Sequence, residues 1–240
     1  MSKKGIIIFD LDGTIVDSMT EQTSIFSSII MNQYGIPNEY SEKIYKETAG
    51  QPLDKQFLQV INAYKKDYIE GQAISRLIDI FWEEIKMREP KLFPFAQEIL
   101  EVLFDAGYIL CLSTGCSLDV TNMKLTKSKI RHYFKLILTT DYNNSGGSRK
   151  GRDHINTIID VLKISLTELK LTSILIGDGV GDIKMAKEFG ITSIGIPNTC
   201  SKALLLESGA TMVLDSIFDV LKLLLVPSAF KDISKINNGG

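Results

Sequence analysis

The sequence lacks what zinc-binding, secreted and nucleic-acid-binding proteins usually show. Its three cysteines, Cys111, Cys116 and Cys200, form no CxxC or zinc-like spacing, and their odd number argues against a disulfide framework. The formal net charge of −2 gives no electrostatic basis for binding nucleic acid or an anionic membrane. No apolar run approaches transmembrane length, and the N-terminal run ends at Phe9, which is too short for a signal peptide. These absences predict a reduced, cytoplasmic protein without nucleic-acid or membrane partners.

The most informative stretch runs from Gly5 to Ser18. The apolar run Ile6–Phe9 leads directly into Asp10-Leu11-Asp12-Gly13-Thr14. A short β-branched run bounded by glycine and by an Asp-Gly pair predicts a strand buried on both faces, as in parallel sheets covered by helices. Ligands of such sheets bind at the carboxyl ends of the strands. Two carboxylates placed there repel each other, so we expect a cation or a proton to relieve them.

Residues 17–92 form an all-helical block in this interpretation, because no segment in it has the pattern of a strand. Apolar residues recur at helical spacing in four segments. These predicted helices are Thr20–Tyr34, Ser41–Ala49, Leu53–Tyr68 and Ala73–Lys86. We expect this block to be a separate small cap domain on two hinges, one near Val16–Ser18 and one near Pro90–Pro94. Closure of the cap over a site would exclude water and select the substrate.

From residue 93 the pattern alternates between helix and strand. Predicted strands at Tyr108–Ser113, Lys135–Thr139, Ser173–Ile176, Thr192–Ile196 and Thr211–Leu214 are separated by predicted helices. With the first strand, this alternation predicts an α/β fold with a doubly wound parallel (Rossmann-like) sheet. We therefore predict a core of residues 1–16 plus 93–227, the cap at 17–92 and a flexible tail at 228–240.

Three further polar features follow predicted strands of this sheet. Thr114-Gly115 ends the second strand, Lys150 lies in a polar loop ahead of a helix, and Asp178 and Asp182 follow the strand ending at Ile176. Each alone has an ordinary explanation: a polar turn, a solvated lysine, or a helix N-cap at Asp182. Their order along one sheet edge, after Asp10 and Asp12, favours a catalytic site over coincidental turns.

In this order the motifs resemble those of the haloacid dehalogenase-like hydrolase superfamily, over about Gly5 to Leu225. Asp10-Leu11-Asp12-Gly13-Thr14 is similar to its first motif, Thr114 to the second, Lys150 to the third and Gly177–Asp182 to the fourth. The helical insert lies where members resembling phosphoglycolate phosphatase and β-phosphoglucomutase carry their cap. The resemblance implies a phosphatase acting on a small phosphorylated metabolite, as a monomer or weak homodimer.

The resemblance also implies a role for each matching residue. Asp10 would be the nucleophile that forms an aspartyl-phosphate, and Asp12 the general acid and base. Thr114, Gly115 and Lys150 would bind the phosphoryl oxygens, and Lys150 would offset charge that builds up during transfer. Mg²⁺ would be the cofactor, bound by Asp10, the main-chain carbonyl of Asp12 and Asp178, and Asp182 would act through a water or as a second ligand.

A count of charges supports the metal independently of the resemblance. Asp10, Asp12, Asp178 and Asp182 supply four potential negative charges against one nearby lysine, and the substrate is itself an anion. Without a divalent cation the phosphate would be repelled. Oxygen-only ligands suit Mg²⁺, and the sequence has no His/Cys cluster for zinc.

Two positions remain open at this stage. Either Ser113 or Thr114 faces the site, and Thr114 is preferred because Gly115 follows it. The family usually has proline after the third-motif lysine, whereas Gly151 stands here, so Arg149, Lys150 and Arg152 all remain candidates.

Other functions compete with the phosphatase. Asp12 argues against a dehalogenase, which lacks the second aspartate of the first motif. Cap segment Thr48–Leu53 resembles the substrate loop of phosphatases in this group, and Asp54 follows where the sugar-phosphate mutase would offer an arginine nearby. A phosphonate hydrolase would need a cap lysine, for which Lys43, Lys46 and Lys55 are candidates. A signalling receiver module would be about half this length, and a silent binding protein ranks last because no motif is missing.

Overall fold

The computed structural model describes residues 5–48, 51–65, 71–140 and 150–224. The described chain divides into two compact units, one formed by residues up to Asp17 and from Lys91 onward, the other by Ser18–Pro90. Arg149, most of the predicted polar loop, Ala49-Gly50 of the cap segment and the predicted tail lie outside the described residues.

One parallel sheet of six strands organises the first unit in the described chain. Its strands are β1 (Ile6–Phe9), β2 (Ile109–Ser113), β3 (Phe134–Leu138), β4 (Ser173–Gly177), β5 (Thr192–Gly195) and β6 (Met212–Val213). Their spatial order is β3-β2-β1-β4-β5-β6. The chain thus proceeds from β1 to one edge and then crosses to the other, and ligands of such sheets bind where the order reverses. The predicted doubly wound parallel sheet is confirmed.

The central strand β1 is buried on both faces, as its sequence predicted. Ile7 and Phe9 belong to one apolar cluster with residues of the helix after the cap, such as Leu100. Ile6 and Ile8 belong to a second apolar cluster, on the other face of the sheet. Phe9 pairs with Leu112 of β2 and with Ile176 of β4. This register brings the residues after β1, β2 and β4 to one level at the sheet edge.

Helices on both sides of the sheet complete the first unit. They are α5 (Ala96–Asp105), α6 (Leu118–Lys127), α7 (Arg152–Leu162), α8 (Leu166–Thr172), α9 (Val180–Phe189), α10 (Lys202–Glu207) and α11 (Ile217–Leu224). The sequence interpretation missed α8 and a short 3-10 helix at Arg131–Tyr133. Ser165 accepts a hydrogen bond from the Glu168 N–H at 3.0 Å, so a Ser-x-x-Glu capping signal for α8 was present.

The second unit contains the helices α1 (Met19–Tyr34), α2 (Asn38–Glu47), α3 (Leu53–Lys65) and α4 (Gly71–Lys86). Its core contains a group of aromatic rings, in which the Phe26 ring is stacked on Phe57 at a centroid distance of 4.5 Å and tilted against Tyr45 at 4.6 Å. Buried Gln56 donates a hydrogen bond of 2.7 Å to the Thr48 carbonyl. Among the described residues, no helix is both long and apolar enough to cross a membrane.

The two segments that connect the units pair with each other inside the first unit. Val16 and Leu92 form an antiparallel bridge. The Asp17 N–H donates to the Lys91 carbonyl at 2.7 Å, and the Phe93 N–H donates to the Ile15 carbonyl at 2.9 Å. Both connections therefore leave the first unit from one anchored point, directly after the Asp10–Thr14 turn.

Candidate active site

The chain turns tightly where β1 ends. The Asp10 N–H still donates to the Ile176 carbonyl of β4 at 2.9 Å. The Leu11 carbonyl then accepts hydrogen bonds from the N–H groups of Ile15 and Val16, each at 2.9 Å. Asp12 lies beyond the end of β1 and forms an isolated parallel bridge with Val16, so the alternation of side chains along β1 does not govern its direction.

Gly13 is required by this turn for two reasons. Its φ is +80°, a backbone conformation that residues with a Cβ rarely adopt. A Cβ at this position would lie 1.9 Å from Oδ2 of Asp178. The Gly13 carbonyl accepts a hydrogen bond of 2.7 Å from Asn198, in the segment after β5. The first motif is therefore shaped to fit against the fourth.

Three predicted site residues form a buried acidic cluster. One carboxylate oxygen from each of Asp10, Asp178 and Asp182 lies within 4.8 Å of the other two. A Cβ at Gly177 would lie 2.4 Å from Cγ of Asp182, so glycine is needed there. Oδ2 of Asp182 also accepts the Gly179 N–H at 3.2 Å, at the start of α9. Asp182 thus caps its helix and belongs to the cluster.

Lys150 and Thr14 contact this cluster. The Lys150 ammonium lies 2.5 Å from Oδ1 of Asp10 and 2.6 Å from Oδ1 of Asp182. The Thr14 hydroxyl lies 3.1 Å from Oδ1 of Asp178 and 3.4 Å from Oδ2 of Asp10. Lys150 is thus the described basic residue at the cluster, whereas the exposed Arg152 pairs with Glu188 on α9.

The electrostatics of the cluster follow from burial and like charge. Burial raises the pKa of Asp10 well above its usual range; the Lys150 ammonium opposes this, and the carboxylates of Asp182 and Asp178 add to it. Burial and then Asp182 raise the pKa of Asp178 to about 6. Burial alone would lower the pKa of Lys150, but Asp10 and Asp182 outweigh it and raise that pKa. The cluster therefore has a shortage of positive charge.

Asp12 has partners outside the acidic cluster. Its Oδ1 lies 2.5 Å from the Lys124 ammonium, and its Oδ2 accepts a hydrogen bond from the Cys116 thiol at 2.9 Å. Burial, followed by the Asp12 carboxylate, raises the pKa of Cys116 to about 12, so this thiol keeps its proton. The sequence-based charge count was wrong here, because it included one lysine and missed Lys124.

The hydroxyls of Ser113, the last residue of β2, and of Thr114, which follows it, have different partners. Ser113 lies 2.8 Å from Nδ1 of His154, whose Nε2 lies 3.0 Å from the Thr139 carbonyl. Since a carbonyl only accepts, Nε2 carries the proton and Ser113 donates to Nδ1. The Thr114 hydroxyl accepts the Cys116 N–H at 3.2 Å and is not part of this buried chain. Gly115, which lies between Thr114 and Cys116 in the sequence, is exposed, with open space where a Cβ would lie.

The residues of the cluster fit a divalent cation. Three carboxylates offer oxygen ligands at short mutual distance, and only Lys150 compensates them among the contacts described above. Such all-oxygen sets suit Mg²⁺ or a similar hard cation. Burial first, and then repulsion among the carboxylates, raises the pKa values of Asp10 and Asp178, and a cation of two positive charges would offset both effects.

Comparison with known proteins identifies the family. The sequence model described as haloacid dehalogenase-like hydrolase matches residues 7–196. A probable phosphatase, IndB, from Dickeya dadantii is 28% identical over 195 residues, covering 80% of this chain and 81% of its own length. A phosphoglycolate phosphatase from Vibrio vulnificus is 26% identical, covering 80% of this chain and 82% of its own.

A solved structure of a haloacid dehalogenase-like family hydrolase from Streptococcus pneumoniae has the same fold. It superposes with a TM-score of 0.72 at 23% identity, covering 92% of this chain and 99% of its own. The chain therefore belongs to the haloacid dehalogenase-like hydrolase family, and the prediction of an enzyme of this family is confirmed.

Proposed function

We propose that the protein is a Mg²⁺-dependent phosphatase that hydrolyses a small phosphorylated metabolite through an aspartyl-phosphate on Asp10. The observation that carries this proposal is the meeting of Asp10, Asp178, Asp182 and Lys150 at the ends of β1 and β4. Phosphatase activity also agrees with the names of the relatives. The metal, the intermediate and the substrate class are the parts that experiment must test.

The proposed reaction has two steps. A carboxylate oxygen of Asp10 attacks the phosphorus, the ester P–O bond breaks, and Asp12 gives its proton to the leaving oxygen. Water then attacks the phosphorus of the aspartyl-phosphate while Asp12 takes a proton from it. The aspartyl P–O bond breaks, which restores the Asp10 carboxylate and releases inorganic phosphate.

The remaining residues neutralise and hold the phosphoryl group. Lys150 already lies between Asp10 and Asp182, where its charge would face the transferred oxygens. Thr114, with Gly115, would bind phosphoryl oxygens from the end of β2. Asp10, Asp178, Asp182 and the Asp12 carbonyl would hold Mg²⁺. When bound, Mg²⁺ supplies the positive charge that lets an anionic ester approach three carboxylates.

The alternatives are weaker on these contacts. Lys43 and Lys46 are exposed. The Lys43 ammonium lies 3.9 Å from Oε1 of Glu47, and the Lys46 ammonium lies 4.0 Å from Oε2 of Glu42, each about one helical turn away. Surface ion pairs therefore explain both lysines without a phosphonate substrate. Lys55 is exposed on α3 as well. A sugar-phosphate mutase would use the same core and stays as the second candidate, to be separated by its product.

Phosphate release tests the proposal directly. The substrates would be p-nitrophenyl phosphate, phosphoglycolate and several sugar phosphates, each with Mg²⁺ and with EDTA. We expect metal-dependent release by the wild type and by Asp160→Asn, an exposed aspartate on α7, and none by Asp10→Asn. Release that Asp10→Asn leaves unchanged would contradict the mechanism. Interconversion of sugar phosphates without release would favour the mutase.

A further inference from the structure

Helix α6 carries a lysine at a position where its packing calls for an apolar residue. The buried face of α6 consists of Val120, Thr121, Lys124 and Leu125, at the spacing of a helix stripe that faces a core. Lys124 is only 3% exposed. Lysine is among the residues least often fully buried, because its ammonium is costly to remove from water. Its presence therefore needs a specific partner.

That partner is Asp12, which needs an external support. Because β1 ends at Phe9, the Asp12 side chain is not oriented by the β1 ladder. Its two oxygens are instead held by different elements, Oδ1 by Lys124 of α6 at 2.5 Å and Oδ2 by the Cys116 thiol at 2.9 Å. Two contacts on opposite oxygens fix both the position and the rotation of a carboxylate.

Cys116 also connects this support to the turn after β2. Its N–H donates to the Thr114 hydroxyl at 3.2 Å, and its carbonyl accepts the Thr140 N–H at 3.2 Å. The same short turn thus carries Thr114 and the thiol that holds Asp12. Lys124 lies 3.8 Å from the Cys116 sulfur, so the three side chains form one contiguous group.

We propose that Lys124, assisted by Cys116, is a positioning residue that holds the Asp12 carboxylate in the orientation for proton transfer to the leaving group. This inference rests on the proposed function, because it assigns Lys124 a role in the step that Asp12 performs. It differs from a stabilising role, since an ion pair that only supports the fold would affect all substrates alike.

The leaving group provides the test. An alkyl phosphate expels a basic alkoxide that needs a proton, whereas p-nitrophenyl phosphate expels a weakly basic phenolate that needs little help. The parameter kcat/KM reports phosphoryl transfer to Asp10. We expect Lys124→Met to lower it about tenfold or more for the alkyl ester, and much less for p-nitrophenyl phosphate. Lys127→Met, at the exposed end of α6, is the matched control and should behave as the wild type.

A double-mutant cycle shows whether Lys124 acts through Asp12. With the alkyl ester, on which Lys124→Met has its larger effect, Asp12→Asn combined with Lys124→Met should be no slower than Asp12→Asn alone. Multiplying effects, or equal losses for the two esters, would overturn the inference. If Lys124→Met fails to fold, Cys116→Ala should show the same ester-selective loss and Cys116→Ser should restore part of it. An equal loss for both esters in Cys116→Ala would likewise overturn it.

The controls separate the two proposals. A wild type and Lys127→Met that release no phosphate from either ester would refute the proposed function, and the inference with it. An active wild type whose Lys124→Met variant keeps its full kcat/KM for the alkyl ester would refute only the role of Lys124.

Discussion

Ser113 and His154 form a buried hydrogen bond of 2.8 Å that joins the end of β2 to the first turn of α7. His154 is fully buried and also donates to the Thr139 carbonyl after β3. The pair therefore holds three neighbouring segments in place beside Thr114 and Lys150. Its integrity depends on a neutral imidazole, because a protonated Nδ1 could no longer accept from Ser113.

This pair predicts acid sensitivity of the fold. Burial lowers the pKa of His154 from 6.5 to about 4, so the unfolded chain binds a proton more readily than the folded one. The stabilisation is complete above pH 6.5, declines as the pH falls and is lost near pH 4, about 3 kcal/mol in all. Unfolding free energies measured from pH 7 to pH 4.5 should therefore fall less steeply in His154→Gln. His132→Gln, an exposed histidine, should keep the wild-type slope. Equal slopes in all three proteins would contradict the assignment.

The close approach of Gly13 to Asp178 predicts that Gly13→Ala loses metal-dependent activity, a loss that backbone strain alone would not cause. Gly107 has a similar φ of +86°, but no atom lies within 4 Å of the site of its Cβ. Both Gly13→Ala and Gly107→Ala should cost about 1–2 kcal/mol of unfolding free energy from strain. Only Gly13→Ala displaces the Asp178 carboxylate, so only it should lose phosphate release. Equal activities of the two variants would show that the close approach does not matter.

We expect Asp178→Asn to have opposite effects on stability with and without metal. Its pKa, raised to about 6 by burial and by Asp182, means that its ionised form destabilises the metal-free fold above that pH. At pH 7.5 in EDTA, Asp178→Asn should therefore raise the unfolding free energy, by up to about 3 kcal/mol. The same variant should lose the stabilisation that Mg²⁺ gives the wild type, measured as the shift in Tm. Asp160→Asn, with an exposed side chain, should keep that shift. An Asp178→Asn variant that Mg²⁺ still stabilises fully would exclude Asp178 as a ligand.

We expect the substitution of Lys150 to cause a large loss of turnover. Removal of the ammonium between Asp10 and Asp182 in Lys150→Met should lower kcat by about 10²–10³, because the phosphoryl charge would be uncompensated. Arg152→Met removes an exposed cation two residues away and should stay within about threefold of the wild type. Steady-state kinetics on p-nitrophenyl phosphate would measure both. A greater loss in Arg152→Met than in Lys150→Met would reassign the third-motif residue.

The sequence predicted the sheet because each core strand is a short apolar run ended by glycine or a polar residue. It also predicted the acidic cluster, since Asp10 and Asp178 follow neighbouring parallel strands. It could not predict Lys124 or His154 as neighbours of the site. Lys124 lies on a helix where a lysine usually implies a solvated face, and only the folded chain brings it to Asp12. The hydrogen bond of Ser113 likewise depends on His154, which lies 41 positions away in the sequence.

The aspartyl-phosphate on Asp10 is the central claim, and trapping it is the most direct test. The enzyme would be mixed with Mg²⁺ and a good substrate, quenched in acid, reduced with borohydride and mapped by mass spectrometry. The account predicts that reduction converts Asp10, and no other aspartate, to homoserine, and that Asp10→Asn shows no conversion. Conversion at Asp12, Asp178 or Asp182, or steady release of phosphate by Asp10→Asn, would contradict it.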